Sequence, residues 1–472
     1  MIESSRRQRS FAEGLIEEEV SSLWEPWMRQ VDALLTDPEL LAIVYEALAR
    51  RSPQSRSRGR PSTPAEVVLR LLLLKHLRNW SYHALEREVR ANLVYRQFTR
   101  IGAEKVPDAK TLGRLALALG PQVIEQLHAR VVAIACQKHV IRGRRLRLDT
   151  TVVETDIHYP TDSSLLGDGV RVLTRTMQRI ARIAGRAGTR LRDRTRTVRY
   201  RMLEIARASR SRVPQGQERM KACYRKFLHS TARVVGQAKR FAQEIGAGVK
   251  RARVSRDLLS LQAQQAYLER MIPRVQQVMH QTRERLFKGN THLPDKLVSL
   301  FEPHTEIIRK GKAAKPTEFG KMVKIQEAEA QIVTHYEVYS ERPSDSDLLL
   351  PAIAVHEQLL GRTPYLVTAD AAFFSQRNEA AARGHGVKRV AIPNRSTKSA
   401  QRKRLEKKRW FRNAQKWRTG CEGRISLLKR RHGLNRCRYK GMSGIQRWVG
   451  FGVIADNLIN IGHALATSAD DG

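Results

Sequence analysis

Arg145-Leu146-Arg147-Leu148-Asp149-Thr150-Thr151-Val152-Val153 is the first extended stretch in a chain whose opening 140 residues read as helices. Leucine, valine and threonine favour a strand, and Asp149 closes the basic-apolar half of the run. A second apolar run, Tyr365-Leu366-Val367-Thr368-Ala369-Asp370, also ends in an aspartate. A third stretch, Arg418-Thr419-Gly420-Cys421-Glu422-Gly423-Arg424-Ile425-Ser426-Leu427-Leu428-Lys429, reads as a helix that presents Glu422. Taken alone, each acid has a bland reading. An aspartate at a strand end is often a turn or cap residue, and a helical glutamate usually sits on a solvated face. As a set, two strand-end aspartates and a helical glutamate are the parts of a two-metal phosphodiester site.

The setting strengthens that reading. The 472 residues carry 87 Lys and Arg against 46 Asp and Glu, a formal net charge of +41. Acids clustered inside so basic a chain point to hard cations working on a polyanion. Hydrophobic content of 41% is enough for a core, and the length suggests two to four domains. No run approaches the roughly 18 apolar residues of a membrane span, and Met1-Ile2-Glu3-Ser4-Ser5-Arg6-Arg7 has no apolar signal region. Cys136, Cys223, Cys421 and Cys437 form no C-x-x-C pair, so neither a zinc site nor a disulfide framework is indicated. The chain lacks H-E-x-x-H and G-x-x-x-x-G-K-[ST], which argues against zinc hydrolysis and ATP use. The expectation is a cytoplasmic, nucleoid-associated protein that binds nucleic acid and no membrane.

Outward from the first strand, residues 1–60 read as an N-terminal arm ending in a basic linker. Residues 61–140 read as a helical domain. Thr63, Pro64 and Glu66 suggest a capped helix start, Ser81 caps the next helix, and Pro107-Asp108 opens a third. With Arg87, Arg90, Arg96 and Arg100 available, this domain is either a helix-turn-helix DNA reader or a packing module. Residues 165–295 are helical and strongly basic. Across 171–290 there are 30 Lys and Arg against 7 Asp and Glu, +23 of the total. Leu173, Met177, Ile180, Ala184, Ala187 and Leu191 have the spacing of a helical hairpin or coiled coil. Such self-repelling charge suggests a DNA-gripping insertion, with Arg190, Arg192, Arg194 and Arg196 as contacts. Strand character returns over 297–312, 318–326 and 331–340. A helix through Gln358, the strand to Asp370, a helix from Ser375, a strand at 387–392 and a basic loop at 396–409 follow. A helix over 410–430 and an apolar closing segment at 448–461 complete a mixed α/β layer.

In this order the pieces resemble an insertion-sequence transposase of the DDE class. The resemblance rests on Ser81-Tyr82-His83-Ala84-Leu85-Glu86 through Pro107-Asp108-Ala109-Lys110-Thr111-Leu112, on Asp149-Thr150-Thr151-Val152-Val153 and on Thr368-Ala369-Asp370-Ala371-Ala372-Phe373. It rests most specifically on Arg418, Glu422 and Lys429, which fall on the spacing of the family's Y-x2-R-x3-E-x6-K helix. The tyrosine position is Gln415, and only 51 residues separate Asp370 from Glu422. The large insertion instead follows the first strand. The resemblance implies a ribonuclease H-like core, residues 141–164 plus 296–465, with a helical DNA-binding domain at 61–140, an insertion at 165–295 and a tail at 466–472. It implies two Mg²⁺ or Mn²⁺ ions held by Asp149, Asp370 and Glu422, with Arg418 and Lys429 on DNA phosphates. Cleavage and strand transfer would act on double-stranded DNA, the element's terminal repeats and its target, by a homodimer or larger assembly. Asp156, Asp162 and Glu379 are the substitute acids. The alternative is a catalytically inactive DNA-binding protein derived from a transposase.

Overall fold

The computed structural model describes residues 3–5, 18–51, 54, 56, 62–185, 187–210, 214–309 and 316–470. Most of the expected linker at 51–60 and the end of the tail lie outside them. The chain divides into two compact units, 1–156 with 312–472, and 157–311.

Among the described residues unit 1 opens with seven α-helices: α1 (Pro26–Leu34), α2 (Pro38–Ala49), α3 (Ala65–Leu77), α4 (Tyr82–Ala91), α5 (Leu93–Phe98), α6 (Ala109–Ala118) and α7 (Pro121–Gln137). Their starts follow local capping chemistry. Asp37 accepts from the Leu40 amide, Ser81 from Ala84, Asn92 from Tyr95 and Asp108 from Thr111. The start of α3 departs from expectation. Pro64 occupies the N-cap, and the Ala65 and Glu66 amides donate to the carbonyls of Glu3 and Ser4. Glu66 is thereby free to pair with Arg70, 3.0 Å away. All thirteen residues of α3 are buried, and Arg70 is neutralised by Asp32 as well as Glu66. The first strand, β1 (Arg145–Glu154), follows.

Unit 2 holds α8 (Asp162–Ala184), α9 (Thr195–Ala208), α10 (Pro214–Gly246), α11 (Leu258–Phe287) and the short strand β2 (Glu306–Arg309). The four helices share one apolar core that includes Leu166, Met177, Ile205, Phe227, Phe241, Leu268 and Val275. The expected hairpin is therefore a four-helix bundle. Leu173, Met177, Ile180 and Ala184 do face its core, but α8 ends at Gly185 with φ +72°. Ala187 and Leu191 lie in the loop beyond, so the heptad seam stops short. Of the strand expected over 297–312, only β2 forms, because Leu297 and Leu300 are drawn into the helical core.

Unit 1 resumes with β3 (Thr317–Glu327), β4 (Val333–Val338), α12 (Leu349–Leu360), β5 (Leu366–Thr368), α13 (Gln376–Gly384), β6 (Arg389–Ala391), α14 (Ala400–Lys407), α15 (Arg409–Arg431) and α16 (Gly441–Asp470). Its strands run in the order β4-β3-β1-β5-β6. The β4-β3-β1 half is antiparallel and the β1-β5-β6 half is parallel. The fold is mixed α/β. One face of the sheet meets α12, where Gln326 donates to the Ala352 carbonyl at 3.1 Å; the other meets α15. The basic segment at 396–409 contains α14 instead of a loop. Arg402 organises it through ion pairs with Glu379 and Glu406. By length and composition α16 could cross a membrane, with a mean hydropathy of 1.3 over its most apolar window, but 72% of that window is buried inside the protein. It is a core helix, packing Phe451, Ile454 and Leu458 among the N-terminal helices.

Candidate active site

Asp149 is the fifth of ten residues in β1, in mid-strand rather than at the strand end. The antiparallel pairing with β3 carries the strand on to Glu154, opposite Gly320. On its other edge β1 pairs in parallel with β5, in the register Arg145↔Leu366, Leu146↔Val367 and Arg147↔Thr368. Two residues further along both chains stand Asp149 and Asp370. Side chains alternate faces with period two, so Asp149 projects to the same face as Arg147, while Asp370 lies two residues past the end of β5. Paired strands lie about 4.8 Å apart. Asp370 stays extended, with φ −77° and ψ 175°, and accepts from the Ala372 amide at 2.8 Å as cap of the short turn Ala371–Phe373.

Helix α15 covers this face. It buries Phe411, Ala414, Cys421, Arg424 and Leu428 at spacings of three, four and seven. Gln415, the residue at the family's tyrosine position, seats the helix. Its Nε2 donates to Thr368 Oγ1 at 3.0 Å and to the Ala391 carbonyl, at the ends of β5 and β6. One turn on, Arg418 reaches two acids. Its Nη1 is 3.8 Å from Asp149 Oδ2, and its Nη2 donates to Glu422 Oε1 at 2.9 Å. The Asp149 and Arg418 side chains are largely buried, at 14% and 16% exposure, while Glu422 is 56% exposed. The structure thus joins Asp149, Arg418 and Glu422 directly, and Asp370 stands two residues beyond the strand paired with β1. Lys429 lies half-buried two turns beyond Glu422 on the same helix.

Beneath this cluster runs a buried ionic chain that the sequence reading missed. Glu327 on β3, opposite Arg147 in the register, accepts two hydrogen bonds from its guanidinium. Arg147 also donates to the Trp417 carbonyl of α15 and lies 4.8 Å from the Trp417 ring centre. Arg424 lies 3.9 Å from Glu327 and 2.9 Å from Asp456 of α16, with His432 beside Asp456. Burial pushes the Glu327 carboxyl up, opposed by Arg147. It also pushes the Cys421 thiol well up, with the Glu327 and Asp149 charges adding. A Cβ at Gly420 would meet the Arg147 guanidinium, which would have to shift from its place beside Glu327. The available signal was the period of β1, which sets Arg147 on the face of Asp149. Its partner could not be read, because Glu327 lies 180 residues away.

The substitute acids are engaged elsewhere. Asp156 pairs with Arg436, Asp162 with Arg285, and Glu379 with Arg383 and Arg402. In the N-terminal helices Arg96 donates to the carbonyls of Gly102 and Glu104, and Arg100 pairs with Asp32. These two act as internal struts, while Arg87 and Arg90 remain exposed beside Glu88 and Glu86. In unit 2, Arg190, Arg192 and Arg194 lie in the loop before α9 and Arg196 in its first turn. Arg190, Arg192 and Arg196 are exposed.

Comparison with known families now adds to the geometry. Residues 25–116, covering α1 to most of α6, match a family described as a transposase domain (DUF772). Residues 376–461, covering α13 to most of α16, match a transposase DDE domain. Together the two matches support a DDE-class insertion-sequence transposase. No curated protein and no solved structure matched it. Of the three acids in this transposase, Glu422 falls inside a matched segment, and Asp149 and Asp370 fall outside both. Among the described residues no three His, Cys, Asp or Glu side chains are gathered at metal-binding spacing. Asp149 and Glu422 do converge on one positive group, the Arg418 guanidinium. Their hard oxygen donors suit Mg²⁺ or Mn²⁺.

Proposed function

We propose that this transposase cleaves and joins DNA at the ends of its element by metal-dependent phosphoryl transfer, with Asp149, Asp370 and Glu422 as the metal-holding acids. One observation carries the reading. Asp149 and Glu422 meet on the Arg418 guanidinium, and Asp370 follows two residues after β5, the strand paired beside β1. The antiparallel and parallel halves of the sheet are compatible with a ribonuclease H-like core. Two divalent ions bound there would supply an activated water or 3′-hydroxyl and a stabilised leaving oxygen.

The chain's own residues do the rest. Gln415 and Arg147 fix α15 over the strand ends, so that Glu422 is presented toward Asp149 by rigid elements. Arg418 neutralises the acids and would turn to a DNA phosphate once a bound cation took over that role. Lys429 offers a second positive contact on the same helix. Arg190, Arg192, Arg194 and Arg196 extend the positive surface of unit 2 toward duplex backbone. The test is cleavage of a duplex carrying the element's own ends, with Mg²⁺, by the wild type and by Asp149→Asn, Asp370→Asn and Glu422→Gln. Cutting by the wild type alone, with end binding kept in all four, supports the reading. A wild type that binds ends without cutting them supports the inactive alternative.

A further inference from the structure

Unit 2 has a groove that the site in unit 1 leaves unexplained. Helix α8 turns Leu166, Leu173, Met177 and Ile180 into the bundle core and leaves an opposite stripe of Arg171, Arg175, Arg179 and Arg182, all exposed. The spacings of four, four and three keep the stripe on one side of the helix. Arg171 pairs with Asp168. Among the described residues Arg175, Arg179 and Arg182 have no acidic partner. Four residues of helix rise about 6 Å, close to the step between successive phosphates of an extended strand.

Arg171, Arg175 and Arg179 form one wall of a cavity of about 440 Å³, and Arg182 continues the stripe one turn beyond it. Across it stand Gln264 and Tyr267 of α11, with Phe301 at the rim, 46% exposed. The Gln264 Oε1 is buried without a hydrogen-bond partner. The Arg270 guanidinium lies 5.1 Å from the Tyr267 ring centre. A positive ladder, a recessed aromatic ring, an exposed phenyl and an unused carbonyl acceptor select a polyanion that also presents flat, hydrogen-bonding faces. A duplex hides those faces within its stack, and the cavity has the size of small-ligand sites, enough for a nucleotide.

We propose that the α8–α11 groove binds an unpaired DNA strand, with phosphates along Arg175, Arg179 and Arg182 and a base stacked at Tyr267. This rests on the reading that the chain works on DNA, and its test is separable from cleavage. Affinities of the full-length chain for a fluorescent 20-nucleotide oligothymidine and for a hairpin duplex would be measured by anisotropy across a salt series. Tyr267→Ala should weaken the single strand about 5- to 100-fold with the salt slope unchanged, and leave the duplex within twofold. Tyr267→Phe, which keeps the ring, should bind as the wild type. Arg175→Gln with Arg179→Gln should lower the single-strand salt slope by about 1.4, at roughly 0.7 per phosphate. Single-strand affinity within twofold of wild type in Tyr267→Ala, with the helical circular dichroism intact, would overturn the proposal, as would equal losses on both DNAs. Neither result touches the acids of unit 1, whose own assay is cutting of element ends.

Discussion

The buried pair beneath the acids gives the sharpest quantitative test. Glu327 is fully buried, and its partner Arg147 is 5% exposed. In Glu327→Gln the volume and one acceptor oxygen are kept but the charge is lost, so Arg147 stays buried without its counter-charge. Breaking one side of a buried pair costs about 3–5 kcal/mol. Arg424 retains Asp456, which places the expected loss near the lower end, about 3 kcal/mol. That is a large fraction of a typical total of roughly 5–15 kcal/mol. With a urea dependence near 3 kcal/mol per molar, suitable for a large unit, the unfolding midpoint should fall by about 1 M. Tryptophan fluorescence isolates the effect. All six tryptophans lie in unit 1, at positions 24, 27, 80, 410, 417 and 448, and none in 157–311. The double variant Arg147→Met with Glu327→Leu removes both charges and should recover at least half of the loss. A midpoint shift below about 0.3 M in Glu327→Gln, or a double variant worse than both singles, would refute the claim that this pair is a tightly coupled ionic joint.

Other expectations follow from the same geometry. Gln415→Ala removes the bonds that seat α15 on β5 and β6; cleavage of element ends should drop at least tenfold while end binding, measured by gel shift, changes less than threefold. Replacing Arg190, Arg192, Arg194 and Arg196 with Gln should weaken specific and random duplexes alike and flatten the salt dependence by about 0.9 for each phosphate no longer neutralised, and an unchanged slope would mean that these arginines face no duplex. Lys75 is buried among Tyr82, Tyr439 and Trp448, and burial, with Arg438 adding, pushes its ammonium down to about 7. A lysine with a lowered folded value binds fewer protons folded than unfolded between about 7 and its ordinary 10.5, so stability rises with pH across that window. Melting temperature measured from pH 7 to 9.5 should therefore climb in the wild type relative to Lys75→Met, and parallel curves would show that Lys75 is charged in the folded state throughout.

Much of this was legible in the sequence because it is written locally. Ser81 and Asp108 cap helices since a short acceptor beside a free amide needs no distant partner. The α15 spacing of Arg418, Glu422 and Lys429 follows from helical period alone. The departures share one cause, which is competition from residues far along the chain. Thr63 did not cap α3 because the carbonyls of Glu3 and Ser4 reached those amides first. The seam of α8 stopped at Gly185 because three other helices offered a core that a two-helix hairpin lacks. Asp149 was read as a strand end because the charge break looks like one. The antiparallel partner β3, which carries β1 five residues further, lies beyond the insertion.

The same distinction explains the residue most changed by the structure. From spacing alone Arg418 is a phosphate ligand on an exposed stripe. In the fold it is mostly buried, and its two terminal nitrogens face Asp149 and Glu422. Three charges of alternating sign then hold one another where two carboxylates alone would repel at close range. A cation bound between the acids would take over that neutralising role, and the guanidinium would then be drawn to the nearest remaining anion, which in the proposed reaction is the DNA backbone. Metal affinity and DNA affinity should accordingly reinforce each other through this side chain. Arg418→Gln tests the coupling. It should bind Mn²⁺ more tightly than the wild type without DNA, by titration calorimetry, and lose the gain in DNA affinity that Mn²⁺ gives the wild type. Equal Mn²⁺ affinity in the two proteins would show that the guanidinium does not compete for the acids.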